Sequence, residues 1–291
     1  MKTRVFHISA DEPDIKAIRE AAQVIKNGGL VAFPTETVYG LGANALNGEA
    51  VKKIFIVKQR PMDNPIIAHI CNFEQLRFLA RYVPNWLDKI KDIVWPGPIT
   101  FVLPKKDIVP YEVTAGLDTV AIRMPAHPVA LKLIELSELP IAAPSANLSG
   151  RPSPITPKYV IKDLYGKVDV ILDAGDTFFG VESTVIDATH FPPVILRPGP
   201  MTPERISEIL GVDVKIHPSV LQKKNVEKPA SPGMKYRHYA PETELYLVVG
   251  EPPSLVNKIN ELALKFSLEG KKVALLVSEE TSRFLTIHTL K

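Results

Sequence analysis

Two short polar motifs interrupt otherwise apolar stretches, and their residue types suit a phosphate-rich substrate. One is Lys58-Gln59-Arg60-Pro61 followed by Asn64-Pro65; the other is Ser145-Ala146-Asn147. Lysine supplies a point charge and arginine a planar fork, the usual division of labour at a phosphate. Asn64 adds a directed amide, while Pro61 and Pro65 stiffen the backbone that carries it. Either cation alone would read as a solvated charge favouring a helix C-terminus; the cluster argues for an anion. Ser145 and Asn147, between Pro144 and Pro152, read either as a turn with local hydrogen bonds or as donors aimed at the same anion.

A second set of polar residues stands inside apolar strand patterns. Arg123 lies in VAIRMP, where a charge is costly unless paired, and no neighbouring acid offers itself along the sequence. An inward Arg123 therefore calls for a carboxylate, which a substrate could supply. His69 in IIAHI reads either as a satisfied core histidine or as a site residue. Ser183 in FFGVESTVID and Arg197 in VILRPG are polar breaks that carry no message singly. GLGANA matches the dinucleotide fingerprint formally, but the strand before it ends at Pro34 and the turn is too long for a tight βα crossover. There is no Walker-type phosphate loop, H-E-x-x-H pair or cysteine–histidine cluster, so no protein-held metal is expected.

The elements that position these residues follow from periodicity. Asp14 to Asn27 carries Ile15, Ile18, Ala22 and Ile25 on one helical face and stops at Gly28-Gly29. LVAFP reads as a buried strand; a polar segment follows, then a helix from about Asn47 to Lys58 with Arg60 at its exit. PIIAHI is the next strand, and FEQLRFLARYVPNWLDKI the next helix, interrupted at Pro84. Further strands are expected at ITFVLP, TVAIRMP, PIAAP, VDVILDA, ESTVIDA and PVILRPG, and helices after His127, at Pro157 to Leu164 and at Pro203 to Leu210. Without a strict βαβ rhythm, this predicts a mixed sheet with helical cover.

The 291 residues suit one large domain plus a smaller one. Composition shifts place the divisions at 1–211, a polar, basic, proline-rich linker at 212–242, and 243–291. In the last piece TELYLVVG, a helix near Leu255 to Phe266, and KKVALLVSEE read as a strand–helix–strand unit. A net charge of +3 is too mild to argue for nucleic acid by itself. The lone cysteine, Cys71, excludes an internal disulfide, fits a reducing cytoplasm and reads as a buried, inert thiol. The N-terminus has no apolar signal core, and no stretch is long enough to cross a bilayer. The 27 prolines, about twice average usage, favour thermal stability by lowering the entropy of the unfolded chain.

Taken in order, FPTETVYGLGANA, KQRPMDNP, WPGPITFVLP, TVAIRMP, APSANLSGRPSP, GVESTVID and LRPGP resemble the YrdC-like threonylcarbamoyl-adenylate synthases, over about residues 14 to 210. SPGMKYRHYAP and the piece after it are similar to the longer, two-domain form, although that form's C-terminal domain is usually longer than the piece here. The resemblance implies an α/β fold: a twisted mixed parallel and antiparallel sheet with helices around a basic cleft, plus a small C-terminal α/β, Rossmann-like domain. It also implies a reaction in which L-threonine, bicarbonate (or carbon dioxide) and ATP give threonylcarbamoyl-adenylate and pyrophosphate. Mg²⁺ would be held mainly by the ATP phosphates and water. A separate transferase complex would then move the threonylcarbamoyl group to the adenosine next to the anticodon of certain tRNAs.

Carried over by position, Lys58, Arg60, Ser145 and Asn147 match the family's signature cleft residues, expected at the triphosphate. Asn64, Thr119, Ser153 and Arg197 match its other nucleotide contacts, and Tyr239 a linker residue that reaches the nucleotide. Thr37, His69, Arg123 and Ser183, with the backbone at Ala143, match its threonine pocket. Such chemistry needs no protein nucleophile: the amine adds to carbon dioxide, the carbamate attacks the α-phosphorus, and the protein positions and stabilises charge. The proton acceptor is not evident in the sequence; His69 and bulk water are the candidates. The basic, tyrosine-containing linker reads as a lid or as a solvated tether. A competing class is a non-catalytic module that binds double-stranded or transfer RNA in the same cleft. It accounts for Lys58, Arg60 and the basic linker, leaves Arg123 and His69 unexplained, and predicts a steep salt dependence.

Overall fold

Asp14 opens the first helix as its position predicts: the carboxylate accepts hydrogen bonds from the backbone N–H groups of Lys16 and Ala17. Asn47 does the same for the second helix, accepting from Ala50 N at 3.1 Å. In the computed structural model, which describes residues 2–221 and 243–286, the chain divides into two compact units, Met1–Ala240 and Pro241–Lys291. The larger unit begins β1 (Arg4–His7), α1 (Ile15–Lys26), β2 (Val31–Phe33), β3 (Gly40–Asn44), α2 (Gly48–Lys58), β4 (Ala68–His69) and α3 (Phe73–Leu79). It continues through α4 (Asn85–Val94), β5 (Ile99–Pro104), α5 (Tyr111–Thr114), β6 (Thr119–Arg123), α6 (Pro128–Ser137) and β7 (Ile141–Ala142). Then come α7 (Pro157–Leu164), β8 (Val170–Asp173), β9 (Thr184–Asp187), β10 (Val194–Arg197), α8 (Pro203–Leu210), β11 (Lys215–Ile216) and α9 (Pro218–Leu221).

The strands join in the order β1-β8-β2-β3-β7-β4-β6-β5-β9-β10-β11. Parallel ladders join β1 to β8, β2 to β8, β4 to β6, β5 to β9 and β10 to β11, and the other five pairings are antiparallel, so the sheet is mixed as the irregular element rhythm predicts. Alternation along β2 shows how the layers form. Val31 and Phe33 pack with Ile18 and Ile25 of α1 and Leu133 of α6; Ala32, facing the other way, packs with Val51 and Ile54 of α2. Helices thus cover both faces.

The structure departs from the sequence reading in two places. The first is β3: GLGAN, read as part of a polar segment, is a buried strand antiparallel to β2. Its glycines hid it, because glycine is depleted in strands. At Gly42 a Cβ would sit 2.7 Å from Ile141 Cγ2 and 2.8 Å from Phe33 Cε1, so the strand can lie there only without a side chain. The glycines serve packing under the Phe33 ring, not a dinucleotide turn. The second departure lies in the smaller unit. α10 (Pro252–Leu268) forms as read, followed by α11 (Glu279–Ser282), but among the described residues TELYLVVG and KKVALLVSEE pair in no ladder. Leu245, Leu247, Val249 and Leu276 are exposed there, and among the described residues no partner face covers these apolar runs. No helix among the described residues is long and apolar enough to cross a membrane.

Candidate active site

α2 ends on Lys58, and Gln59 then adopts a left-handed conformation (φ 52°) that turns the chain sharply. Lys58 is left pointing inward, 2% exposed. Its Nζ donates to Ser145 O and Asn147 O, both at 2.5 Å, and lies 3.5 Å from Asn147 Oδ1. The two motifs singled out in the sequence are therefore one structure, stitched by a lysine. Inside the turn Ser145 Oγ donates to Asn147 Oδ1 at 2.6 Å, and Asn147 Nδ2 donates to the carbonyls of Leu148 and Arg151. The local-turn reading of Ser145 and Asn147 holds, and the turn still borders the cleft. Burial pushes the Lys58 ammonium well below its ordinary range, with the Arg60 charge adding to the shift; Asp163 and Glu182 pull the other way.

Arg60, half-buried, donates from Nη2 to Asn64 O and Pro65 O at 3.3 and 3.2 Å, which folds KQRPMDNP back on itself. The cleft encloses about 800 Å³ of space, including its open mouth, and its lining contains Lys58, Arg60, His69, Arg123, Ala143, Ser145, Asn147, Ser153, Ser183 and Arg197. Ten of the predicted positions thus face one cavity. Thr37 stands just behind the lining, its Oγ1 accepting from Arg123 Nη1 at 2.9 Å. Asn64 is buried outside the lining, with neither side-chain amide atom hydrogen-bonded. Thr119 opens β6 at the end opposite Arg123, roughly 13 Å along the strand, and also lies outside the lining. Tyr239 and most of the linker lie outside the described residues.

His69 and Arg123 come together because β4 and β6 run parallel in register, His69 opposite Arg123. Phe33 meets the imidazole edge-on with ring centroids 6.1 Å apart. Burial first, and then the Arg123 charge, lower the His69 pKa to about 3, so the ring is neutral at physiological pH. Protonation would set a second cation beside Arg123, which argues against His69 as the acceptor of the amine proton. Ser183 Oγ bonds Thr100 Oγ1 at 2.8 Å and accepts from Arg197 Nη2 at 3.1 Å, while Ser183 O accepts from both Arg197 Nε and Nη2. Arg197 is in this way a brace for the Ser183 corner. Cys71 is half-buried, and burial raises its thiol, as suits an inert cysteine.

Arg123 requires a correction. No acid lies near it in sequence, but Glu36, 87 residues away, sets Oε1 2.7 Å from Arg123 Nη2. The contact is a charge pair without hydrogen-bond alignment: neither Glu36 oxygen nor Arg123 Nη2 has a hydrogen-bonded partner. With Nη1 donating to Thr37 Oγ1 and Nε to Gly97 O at 3.4 Å, two of the three guanidinium nitrogens are hydrogen-bonded and the third faces Glu36. A ligand carboxylate must share or displace Glu36 to reach it. Sequence reasoning also passed over Glu182, whose Oε1 accepts a short hydrogen bond from Ser153 Oγ, and Arg151, which pairs with Asp163 of α7. Both line the cleft or tie it down, and GVESTVID and SGRPSP already contained them. Their roles depend on long-range neighbours, so no local signal marked them.

Comparison with known proteins identifies the family. The Sua5/YciO/YrdC family model, described as "Telomere recombination", matches residues 23–199, and the threonylcarbamoyl-AMP synthase C-terminal domain matches residues 201–290. A threonylcarbamoyl-AMP synthase of Pyrococcus abyssi is 57% identical over 261 residues, covering 90% of this chain and 76% of the relative. One from Bacillus subtilis is 47% identical over 274 residues, covering 94% and 76%. The crystal structure of P. abyssi Sua5 complexed with L-threonine matches with a TM-score of 0.90 at 52% identity, covering 95% of this chain and 82% of that one. A cleft assembled from both signature motifs, on a mixed sheet that superimposes over nearly its whole length, makes this chain a member of the Sua5/YciO/YrdC family, in the form that carries the Sua5-type C-terminal domain.

Proposed function

We infer that this chain is a threonylcarbamoyl-AMP synthase, joining L-threonine, bicarbonate or carbon dioxide, and ATP into threonylcarbamoyl-adenylate with release of pyrophosphate. One observation carries the reading: a single cleft joins the cation-rich Lys58–Arg60 region and the Ser145–Asn147 turn to a buried guanidinium at Arg123. ATP phosphates belong at the first end and an amino-acid carboxylate at the second. Lys58, Arg60, Ser145 and Asn147 stabilise the charge that moves to pyrophosphate, and Ser153 and Arg197 border the nucleotide. Asn64, Thr119 and Tyr239 would meet the parts of ATP that reach beyond the lining. Thr37, His69, Arg123, Ser183 and the Ala143 backbone shape the threonine pocket, with neutral His69 or Ser183 bonding the hydroxyl.

In the reaction the threonine nitrogen bonds to carbon dioxide, and a carbamate oxygen attacks the α-phosphorus as the bond to pyrophosphate breaks. Positioning and preorganised cations lower the barrier, and removing one such donor costs about 3 kcal/mol, roughly a hundredfold in rate. Because Lys58 also holds the turn, its loss should exceed that figure. Among the described residues no three His, Cys, Asp or Glu side chains gather as a metal site, and the cleft lining offers one carboxylate. That donor set suits Mg²⁺ held by phosphates and water, neutralising triphosphate charge. We assign catalysis to residues 1–211 and a covering role to 212–242. The product would pass, in the cytoplasm, to a transferase acting on tRNA. Pyrophosphate release is the test, with and without L-threonine, in wild type and Lys58→Ala. Threonine-dependent release that collapses in the variant supports the synthase. Salt-sensitive RNA binding without any release would instead support the RNA module.

A further inference from the structure

The cleft lining holds five cations, Lys58, Arg60, Arg123, Arg151 and Arg197, and among the described residues a single acid, Glu182. Arg123 already has Glu36 and Arg151 has Asp163. Glu182 has no ion pair within the described residues; a hydroxyl, Ser153 Oγ, donates to its Oε1. A carboxylate facing a triphosphate is repelled by it, and a cationic group of the ligand beside Glu182 would offset that cost. The reaction inferred above brings one: the α-ammonium of the amino acid.

The backbone that carries Glu182 is fixed on both sides. Phe179 N and Gly180 N donate to Glu36 O and Thr37 O at 2.9 and 3.1 Å, tying this segment to the pocket wall. On the other side Gly199 presses so closely that a Cβ there would sit 2.5 Å from Glu182 O and 2.4 Å from Thr184 N. Glu182 therefore stands at a preorganised position directly before Ser183, which also lines the cleft. Burial lowers the pKa of Lys58 and of Arg123, and the Glu182 charge is one of the smaller influences that oppose this at both. Glu36 is the alternative acid, but it lies outside the lining and is held against Arg123.

We propose that Glu182 is the acceptor for the amino-acid ammonium and the base that removes its protons during carbamate formation. This rests on the synthase reading. The ammonium gives one proton to Glu182, freeing the lone pair that forms the N–C bond to carbon dioxide as one C=O π pair moves onto oxygen. Glu182 passes that proton to water and takes the second N–H proton, leaving the neutral carbamate nitrogen and its anionic oxygen. Lys58, Arg60, Arg123, Arg151 and Arg197 face the same space, and Ser153 Oγ steadies the carboxylate.

The full chain is titrated with L-threonine and with β-hydroxybutyrate, which lacks the amine, as wild type, Glu182→Gln and Glu182→Asp. Threonine-dependent pyrophosphate release is followed from neutral to alkaline pH at low and high Mg²⁺. Glu182→Gln is expected to weaken threonine binding about tenfold or more while β-hydroxybutyrate affinity stays unchanged. Its kcat is expected to fall about a hundredfold near neutral pH and to recover as rising pH supplies free amine, with Glu182→Asp in between. Unchanged threonine affinity and an unchanged pH profile in Glu182→Gln would overturn the proposal. So would full recovery by Mg²⁺ alone, which would make Glu182 a metal ligand. Wild type that releases no pyrophosphate with threonine would defeat the synthase reading instead, and the two titrations would then decide the ammonium contact by themselves.

Discussion

At the scale of single residues, the site is built from charges whose partners are chosen by the fold. Arg123 and Glu36 form a buried pair with poor alignment, and breaking such a pair strands a charge in low dielectric. Glu36→Gln should therefore lower stability by about 3 kcal/mol. It also removes the carboxylate that competes for Arg123, so the rise in Tm on adding L-threonine should be larger in the variant than in wild type. Thermal melts with and without threonine check both. His69 gives a second prediction. Its folded pKa near 3 lies below the unfolded value of about 6.5, so between these the unfolded chain binds a proton that the folded chain refuses. Stability falls as pH drops through that window. His69→Gln has no such group, and its urea midpoint should fall less steeply than that of wild type over the same range.

Individual elements transmit this chemistry through packing. β3 lies against the Phe33 ring, Phe33 backs the His69 imidazole, and His69 sits beside Arg123 across the β4–β6 ladder. A methyl at position 42 would press on Phe33 and Ile141 at once. Gly42→Ala should cost about 1–3 kcal/mol by overpacking, seen as a lower urea midpoint at unchanged m-value. Because the strain reaches Phe33, threonine affinity should fall while ATP affinity holds. The α2 exit works similarly: Lys58 ends the helix and closes the Ser145–Asn147 turn, so one element edge carries half the site.

For the whole molecule, burial is uneven. The larger unit fills both faces of its sheet with apolar side chains, whereas in the described part of the smaller unit Ile259, Ala263 and Leu285 are the buried apolar residues. Elements with few buried contacts open at low free energy. Backbone amides of α10 should exchange with deuterium orders of magnitude faster than those of β2 and β3, as read by mass spectrometry. Equal protection in both units would show that the smaller one is stabilised by more than the burial seen in its described residues.

Much of this was legible in the chain alone. Residue type and local period depend on a few neighbouring positions, so α1, α2, α7 and α8, the strands from β5 to β10, and the KQR and SAN motifs could be read directly. So could the family, because its motifs recur in order. The glycine-rich β3 was not, since its strand character comes from Phe33 overhead and not from propensity. Nor was the pairing of Arg123 with Glu36, the stitch from Lys58 to Asn147, or the place of Glu182. Each joins residues far apart in sequence, and only the order and register of the strands decides which distant side chains share a low-dielectric pocket.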